Sequence, residues 1–352
     1  MSDHPRGIIG RHSRNSAGTI SIWAAVGIFL AALSSLPALA QNPARLTNIS
    51  SRALVGSGSN ALIAGFVVGG SGSETLLIRA DGPALAQFGV SGILTEPTLR
   101  VIDNNGGLVA SNTGWANNSN PALVASAAAS AGAFALAPGS ADCALLVTLA
   151  AGAYTAQIAG LGNSAGVALA EIYEVSSSGT RLTNFSVRAQ VGTGADRLIS
   201  GIVVSGTGDD PFLVRADGPA LTQFGIGGVL AQPTLTVLNG AGTQIASNTG
   251  WDSGFGSVAV YVNTGLEIDT YASQIAAEAS VVGAFPLAAN SGDSAEILSL
   301  PPGPYILQVS GVNNTTGVGL AEVYEMPPQP VSTIPAPPVS PPPQTTPGTG
   351  TG

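Results

Sequence analysis

Ile78-Arg79-Ala80-Asp81-Gly82-Pro83-Ala84-Leu85 returns as Val214-Arg215-Ala216-Asp217-Gly218-Pro219-Ala220-Leu221, and that return decides the fold. Upstream, Arg45-Leu46-Thr47-Asn48 recurs as Arg181-Leu182-Thr183-Asn184. Downstream, Ser111-Asn112-Thr113-Gly114-Trp115 recurs as Ser247-Asn248-Thr249-Gly250-Trp251, so that the offset is 136 residues in all three blocks. A period this long exceeds the roughly 20–50 residues of solenoid and propeller repeats and matches a whole domain. The chain therefore reads as two copies of one independently folding module, residues 45–175 and 181–326. The linker Ser176-Ser177-Ser178-Gly179-Thr180 is short, which predicts neighbouring modules with some swivel between them.

Within a module, short apolar runs alternate with glycine-rich turns. Ala61–Val68 lies between two such turns, as a buried strand does, and Thr75–Ala80 and Thr98–Asp103 follow as the next strands. Near the end of each copy Tyr154, Ala156 and Ile158, then Tyr305, Leu307 and Val309, alternate with more polar residues, the period of a half-buried strand. Pro83–Phe88 and Pro219–Phe224 predict single helical turns, with Asp81 and Asp217 capping their free N–H groups. A longer helix is expected from Pro121 behind Asn120 to Ala131, and its counterpart from near Thr270 behind Asp269. Between tryptophan and phenylalanine the second copy is 15 residues longer than the first, an insertion that suits a loop at one end of the module. Strands at regular spacing without βαβ alternation give an all-β fold: two tandem antiparallel β-sandwich modules, jelly-roll-like, with short helical insertions.

Residues 1–40 have the pattern of a signal peptide. Arg6, Arg11 and Arg14 precede the apolar run Ile20–Leu33, and Ala38-Leu39-Ala40 is a small-x-small cleavage box; an uncleaved anchor is the rival reading. No later segment is long and apolar enough to span a membrane. Both histidines, His4 and His12, lie in that leader, and the chain has no lysine. Without the leader, eight basic residues face 19 acidic ones, a net charge of −11, which opposes nucleic-acid binding. Charged residues make up only 9% of the chain, against the ~25% usual in soluble domains, so neutral polar groups must cover the surface and self-association is expected. Cys143, the single cysteine, aligns with Ser294 and reads as a small strand residue. Residues 327–352 are Pro/Thr/Gly-rich and predict a disordered, extended tail.

Few residues offer chemistry. Arg79 and Arg215 sit in apolar strands, as do Glu171 and Glu322, and a half-buried charge needs a partner. The pairs Arg79–Glu171 and Arg215–Glu322 are therefore expected to tie a middle strand to the last one. Trp115 and Trp251 have two readings, a plug at one end of the core or a sugar-stacking platform. Asp103-Asn104-Asn105-Gly106-Gly107 offers oxygens to calcium, but Asn239-Gly240-Ala241-Gly242 in the second copy loses most of them, and a plain turn explains both. No other cofactor or metal site is expected. Serine or cysteine catalysis with a histidine base is missing its histidine, as are zinc sites built on one, and only a carboxylate-only glycosidase remains as a catalytic alternative.

The succession from Arg-Leu-Thr-Asn through Leu-Ile-Arg-Ala-Asp-Gly-Pro-Ala-Leu, Ser-Asn-Thr-Gly-Trp and Gly-Ala-Phe to Ala-Glu-Ile-Tyr-Glu resembles an uncharacterised tandem β-sandwich repeat of large secreted proteins from environmental bacteria. The closing hairpin, Gly-Ala-Tyr-Thr-Ala-Gln-Ile, is similar to bacterial pre-peptidase C-terminal-type domains. Both resemblances imply β-sandwiches outside the cytoplasm, and neither carries a catalytic residue onto this chain. The expectation is a secreted or cell-surface, non-catalytic protein engaged in adhesion or structural interaction with an extracellular polymer or protein. A pair of carbohydrate-binding modules using Trp115 and Trp251 is the alternative.

Overall fold

The computed structural model describes residues 43–56, 60–176, 179–253 and 272–327. The expected signal peptide, the tail from 328 onward and most of the 15-residue insertion, with the expected helix start at Thr270, lie outside these residues. The fold is all-β with a few short helices. The first repeat supplies β1 (Arg45–Val55), β2 (Leu62–Asp81), β3 (Pro97–Asp103), β4 (Leu108–Asn112), β5 (Cys143–Gly160) and β6 (Gly166–Glu174). The second supplies β7 (Arg181–Val191), β8 (Leu198–Ser205), β9 (Asp210–Asp217), β10 (Pro233–Asn239), β11 (Gln244–Asn248), β12 (Ser294–Leu300), β13 (Gly303–Gly311) and β14 (Gly317–Glu325). Helix α1 (Pro121–Ser130) begins with the Asn120 side chain accepting from the Leu123 N–H at 3.1 Å, and α2 (Ala272–Val281) is its counterpart.

The two expected strands Ala61–Val68 and Thr75–Ala80 are halves of one 20-residue strand, β2, and β5 is likewise continuous over 18 residues. Each half does the work of a separate strand in the second copy, where β8 and β9, and β12 and β13, stay apart. Counting halves, each repeat has eight segments. In the first repeat one run is β1, β6, the second half of β2 and the first half of β5; the other is the first half of β2, the second half of β5, β3 and β4. In chain order these are 1-8-3-6 and 2-7-4-5, and the second repeat follows the same two orders.

The runs do not stop at the repeat boundary. β1 pairs with β8 on its outer edge, and β7 pairs with the first half of β2. These contacts are the same exchange made twice: the first strand of each copy joins the second strand of the other. One hydrophobic core cluster then draws on both repeats, from Leu46, Ile49, Phe66 and Ile78 to Phe185, Ile202, Val214 and Leu307. The expectation of independently folding modules with swivel is corrected here. A four-segment run has a free edge with unpaired N–H and C=O groups, and each repeat covers the other's. The linker is fastened as well: the Ser176 hydroxyl accepts from the Thr75 N–H at 3.3 Å, and Thr180 donates to the Ser71 carbonyl at 3.0 Å. The described residues between 43 and 327 accordingly form one compact unit.

Candidate functional site

Side chains on a strand alternate between faces, and β2 buries both. Leu76, Ile78 and Ala80 enter the shared core, whereas Leu77, Arg79 and Asp81 point to the opposite face. That face is roofed by α1 and the segment after it, so Leu77, Val124, Ala144 and Tyr173 form a second apolar layer with Trp115, Ala128 and Leu136 packed on it. The second repeat builds the same layer from Leu213, Trp251, Ile275, Ala279, Ala295, Ile297, Tyr324 and Met326.

Arg79 and Arg215 lie beneath these roofs with no solvent exposure. Arg79 Nε is 3.3 Å from Glu171, across the β2–β6 ladder in direct register, and its NH2 is 2.9 Å from Asp81. Its NH1 donates to the Phe134 carbonyl at 2.9 Å, and its plane lies 4.1 Å over the Phe134 ring. Arg215 repeats this with Glu322 at 3.2 Å, Asp217 at 3.0 Å, the Phe285 carbonyl at 2.8 Å and the Phe285 ring at 4.2 Å. Tyr173 and Tyr324 each donate to the glutamate at 2.7 Å. Burial raises the Asp81 and Asp217 carboxyls well above their ordinary range; the adjacent arginine opposes that rise and the neighbouring glutamate adds to it. Burial works against the Arg215 charge, but Asp217 and Glu322 outweigh it and lift its pKa. Each network is thus one cation between two carboxyls, closed to solvent.

Asp81 and Asp217 are consumed by these networks and do not cap the following turns, which corrects the sequence reading. The caps are Asp142, accepting from Gly82 and Ala84 at 2.8 and 3.1 Å, and Asp293, accepting from Gly218 and Ala220 at 2.7 and 3.2 Å. Sequence reasoning passed over Asp142 and Asp293, although both stand just before the Cys143/Ser294 position. It also passed over Glu174 and Glu325, which bind the repeats together. Glu174 meets Arg45 at 2.9 Å and accepts from the Leu182 N–H at 2.7 Å. Glu325 meets Arg181 and accepts from the Leu46 N–H at 3.5 Å. Their signal was available: both copies end in Ala-Glu-Ile/Val-Tyr-Glu.

The tryptophans stand at the mouths of the second layers. Trp115 is half-buried and donates its indole N–H to the Ala137 carbonyl at 3.0 Å. Trp251 is 9% exposed and donates to the Ala288 carbonyl at 3.1 Å and to the Ser291 hydroxyl at 3.2 Å. Asp103 accepts from the Asn105 and Gly107 N–H groups at 2.8 Å each, and Asn239 does the same at 3.0 Å for Ala241 and Thr243. The oxygens offered to calcium therefore close a turn that the neutral asparagine closes equally well. Cys143 is buried, its thiol pushed up to about 11 by that burial, and it donates to the Pro97 and Asn112 carbonyls. Among the described residues no group of three or more His, Cys, Asp or Glu side chains is placed to hold a metal, and no helix is long and apolar enough to cross a membrane.

No protein-family model matches the chain, and no curated protein matches it. Among solved structures, the major capsid protein P2 of bacteriophage PM2 is 10% identical, with 82% of this chain and 99% of that one covered at a TM-score of 0.18. A DUF4785 family protein from Legionella pneumophila is 7% identical, covering 80% and 84% at a TM-score of 0.22. Similarity at this level carries no argument about function.

Proposed function

We propose that this is an exported, non-catalytic protein whose two repeats form one rigid block for structural or adhesive interaction outside the cytoplasm. The strand orders 1-8-3-6 and 2-7-4-5 support reading each repeat as a jelly-roll-like sandwich, the two fused edge to edge. The observation that carries the reading is the fate of the chemically capable side chains. The carboxyl pairs closest together in each repeat's network, Asp81 with Glu171 and Asp217 with Glu322, are buried around an arginine and serve to neutralise it. The indole N–H groups are both engaged by the chain itself, which favours a structural role over sugar stacking. The low charge of the chain favours surface contact with little desolvation cost.

The test has three arms on the full chain. Expressed in a bacterium with an intact export system, the protein is expected outside the cytoplasm, and coated beads are expected to adhere to cells or extracellular polymer. Retention in the cytoplasm overturns the reading. Glycan-array binding lost in Trp251→Ala moves it to a carbohydrate-binding pair, and release of reducing sugar moves it to a glycosidase.

A further inference from the structure

The roof of each second layer leaves a pocket against the sheet, and the two pockets are the same site built twice. In the second repeat a cavity of about 220 Å³ is lined by Trp251, Ile275, Ala276, Ala279, Leu287 and Arg215, among others. In the first, about 90 Å³ is lined by Trp115, Val124, Ala125, Ala128, Leu136 and Arg79. These positions correspond one to one, at an offset of 136 before the insertion and 151 after it. A wall of alanines under a helix, facing an indole, is a mostly apolar surface that dispersion contacts can fill.

We propose that the pocket of the second repeat binds a small neutral aromatic molecule of one or two rings. Size selects the class: an apolar cavity of ~150 Å³ holds benzene and stays dry without it, so the larger pocket has room for a second ring and the smaller has room for none. Charge narrows it further. Arg215 at the pocket floor invites an anion, but its Nε and NH2 face Asp217 and Glu322, its NH1 is held by the Phe285 carbonyl, and its plane is covered by the Phe285 ring. Each guanidinium nitrogen already faces a partner and two carboxyls stand beside it, so an acidic ligand is disfavoured against a neutral one. Trp251 supplies an aromatic wall for edge or offset stacking.

The experiment equilibrates the purified full chain with naphthalene vapour and counts bound molecules per chain. Saturable uptake of about one molecule per chain is expected, since of the two equivalent pockets the second repeat's has the volume and the first repeat's does not. Ala279→Leu, which fills the cavity, is expected to reduce uptake at least tenfold, while Ala128→Leu in the smaller pocket leaves it unchanged. Ser280 also lines the larger pocket and is exposed, so Ser280→Phe blocks it without burdening the core if the leucine variant fails to fold. 2-Naphthoate is expected to bind at least tenfold more weakly than naphthalene. The proposal is overturned if the folded wild type takes up no naphthalene saturably, if both filling variants bind as well as it does, or if the carboxylate binds equally.

Discussion

The two repeats agree wherever the sheet must be held and part company where the sheet is covered. Arg79 and Arg215 keep the same four contacts, to an aspartate, a glutamate and a phenylalanine's carbonyl and ring, with distances within 0.1 Å of one another. Gly82 and Gly218 both pass so close to a carbonyl, that of Leu94 or Leu230, that an added Cβ would lie 1.9 or 2.0 Å from it. Cys143 and Ser294, by contrast, differ in element but donate to equivalent carbonyls, Pro97 and Asn112 in one case and Pro233 and Asn248 in the other. The position demands a small donor, not a thiol. The covering layer diverges most: Ala129 and Ala135 become Ser280 and Pro286, and the cavity beneath more than doubles. Shared features thus mark what the fold requires, and divergent ones mark where the second copy was free to change.

Separating the copies is expected to have the largest effect. A single repeat, residues 43–180 or 179–327, loses the cross-repeat partners of its first and second strands and the other copy's share of the common core. Because the two exchanges are equivalent, the isolated repeat is expected to form a two-fold homodimer in which β1 pairs with β2 of the other copy, or to aggregate. Sedimentation showing a stable folded monomer would refute the fused-core description. Next comes Arg215→Leu, which leaves Asp217 and Glu322 buried without a cation and is expected to cost about 3–5 kcal/mol in urea unfolding. Arg79→Leu should match it, whereas Glu171→Gln, which leaves Asp81 on the arginine, should cost less. An unchanged melting temperature for Glu171→Gln would show that the pair adds nothing.

Gly218→Ala follows, at about 1–3 kcal/mol or somewhat above, because the obstructing atom is backbone and cannot rotate away. A smaller effect concerns pH. Burial raises Glu174 from 4.5, and Asp210 from 3.8, to about 7. A carboxyl that holds its proton more tightly when folded contributes stability that is fully present below its unfolded value and is lost as pH rises to its folded one. Urea midpoints should therefore fall between about pH 4 and pH 7 from these groups, and Asp210→Asn should flatten that fall. The smallest effect is Cys143→Ser, expected within about 1 kcal/mol by denaturant titration because Ser294 already fills that role.

Much of the site was legible in the chain. An arginine in an apolar strand and a glutamate in another, each present twice, are enough to expect a pair, because an unpartnered buried charge is too costly to keep. The third member, Asp81, was misassigned to the turn because its side chain has two plausible duties and one-dimensional spacing does not separate them. Asp142 caps a turn about 60 residues away, a distance at which local patterns say nothing. For the indoles the sequence favours the core plug over the sugar platform, and the burial of Trp251 weighs the same way.

The sequence by itself determined the duplication, the all-β class, the strand and turn periods, and the residue types able to do chemistry, because these rest on local spacing and composition. Only the tertiary structure decided that the copies share one core and exchange edges, and that Glu174 and Glu325 clamp them. Those outcomes depend on which surfaces meet across the repeat boundary, and two free strand edges of matching register are more stable paired with each other than left to water.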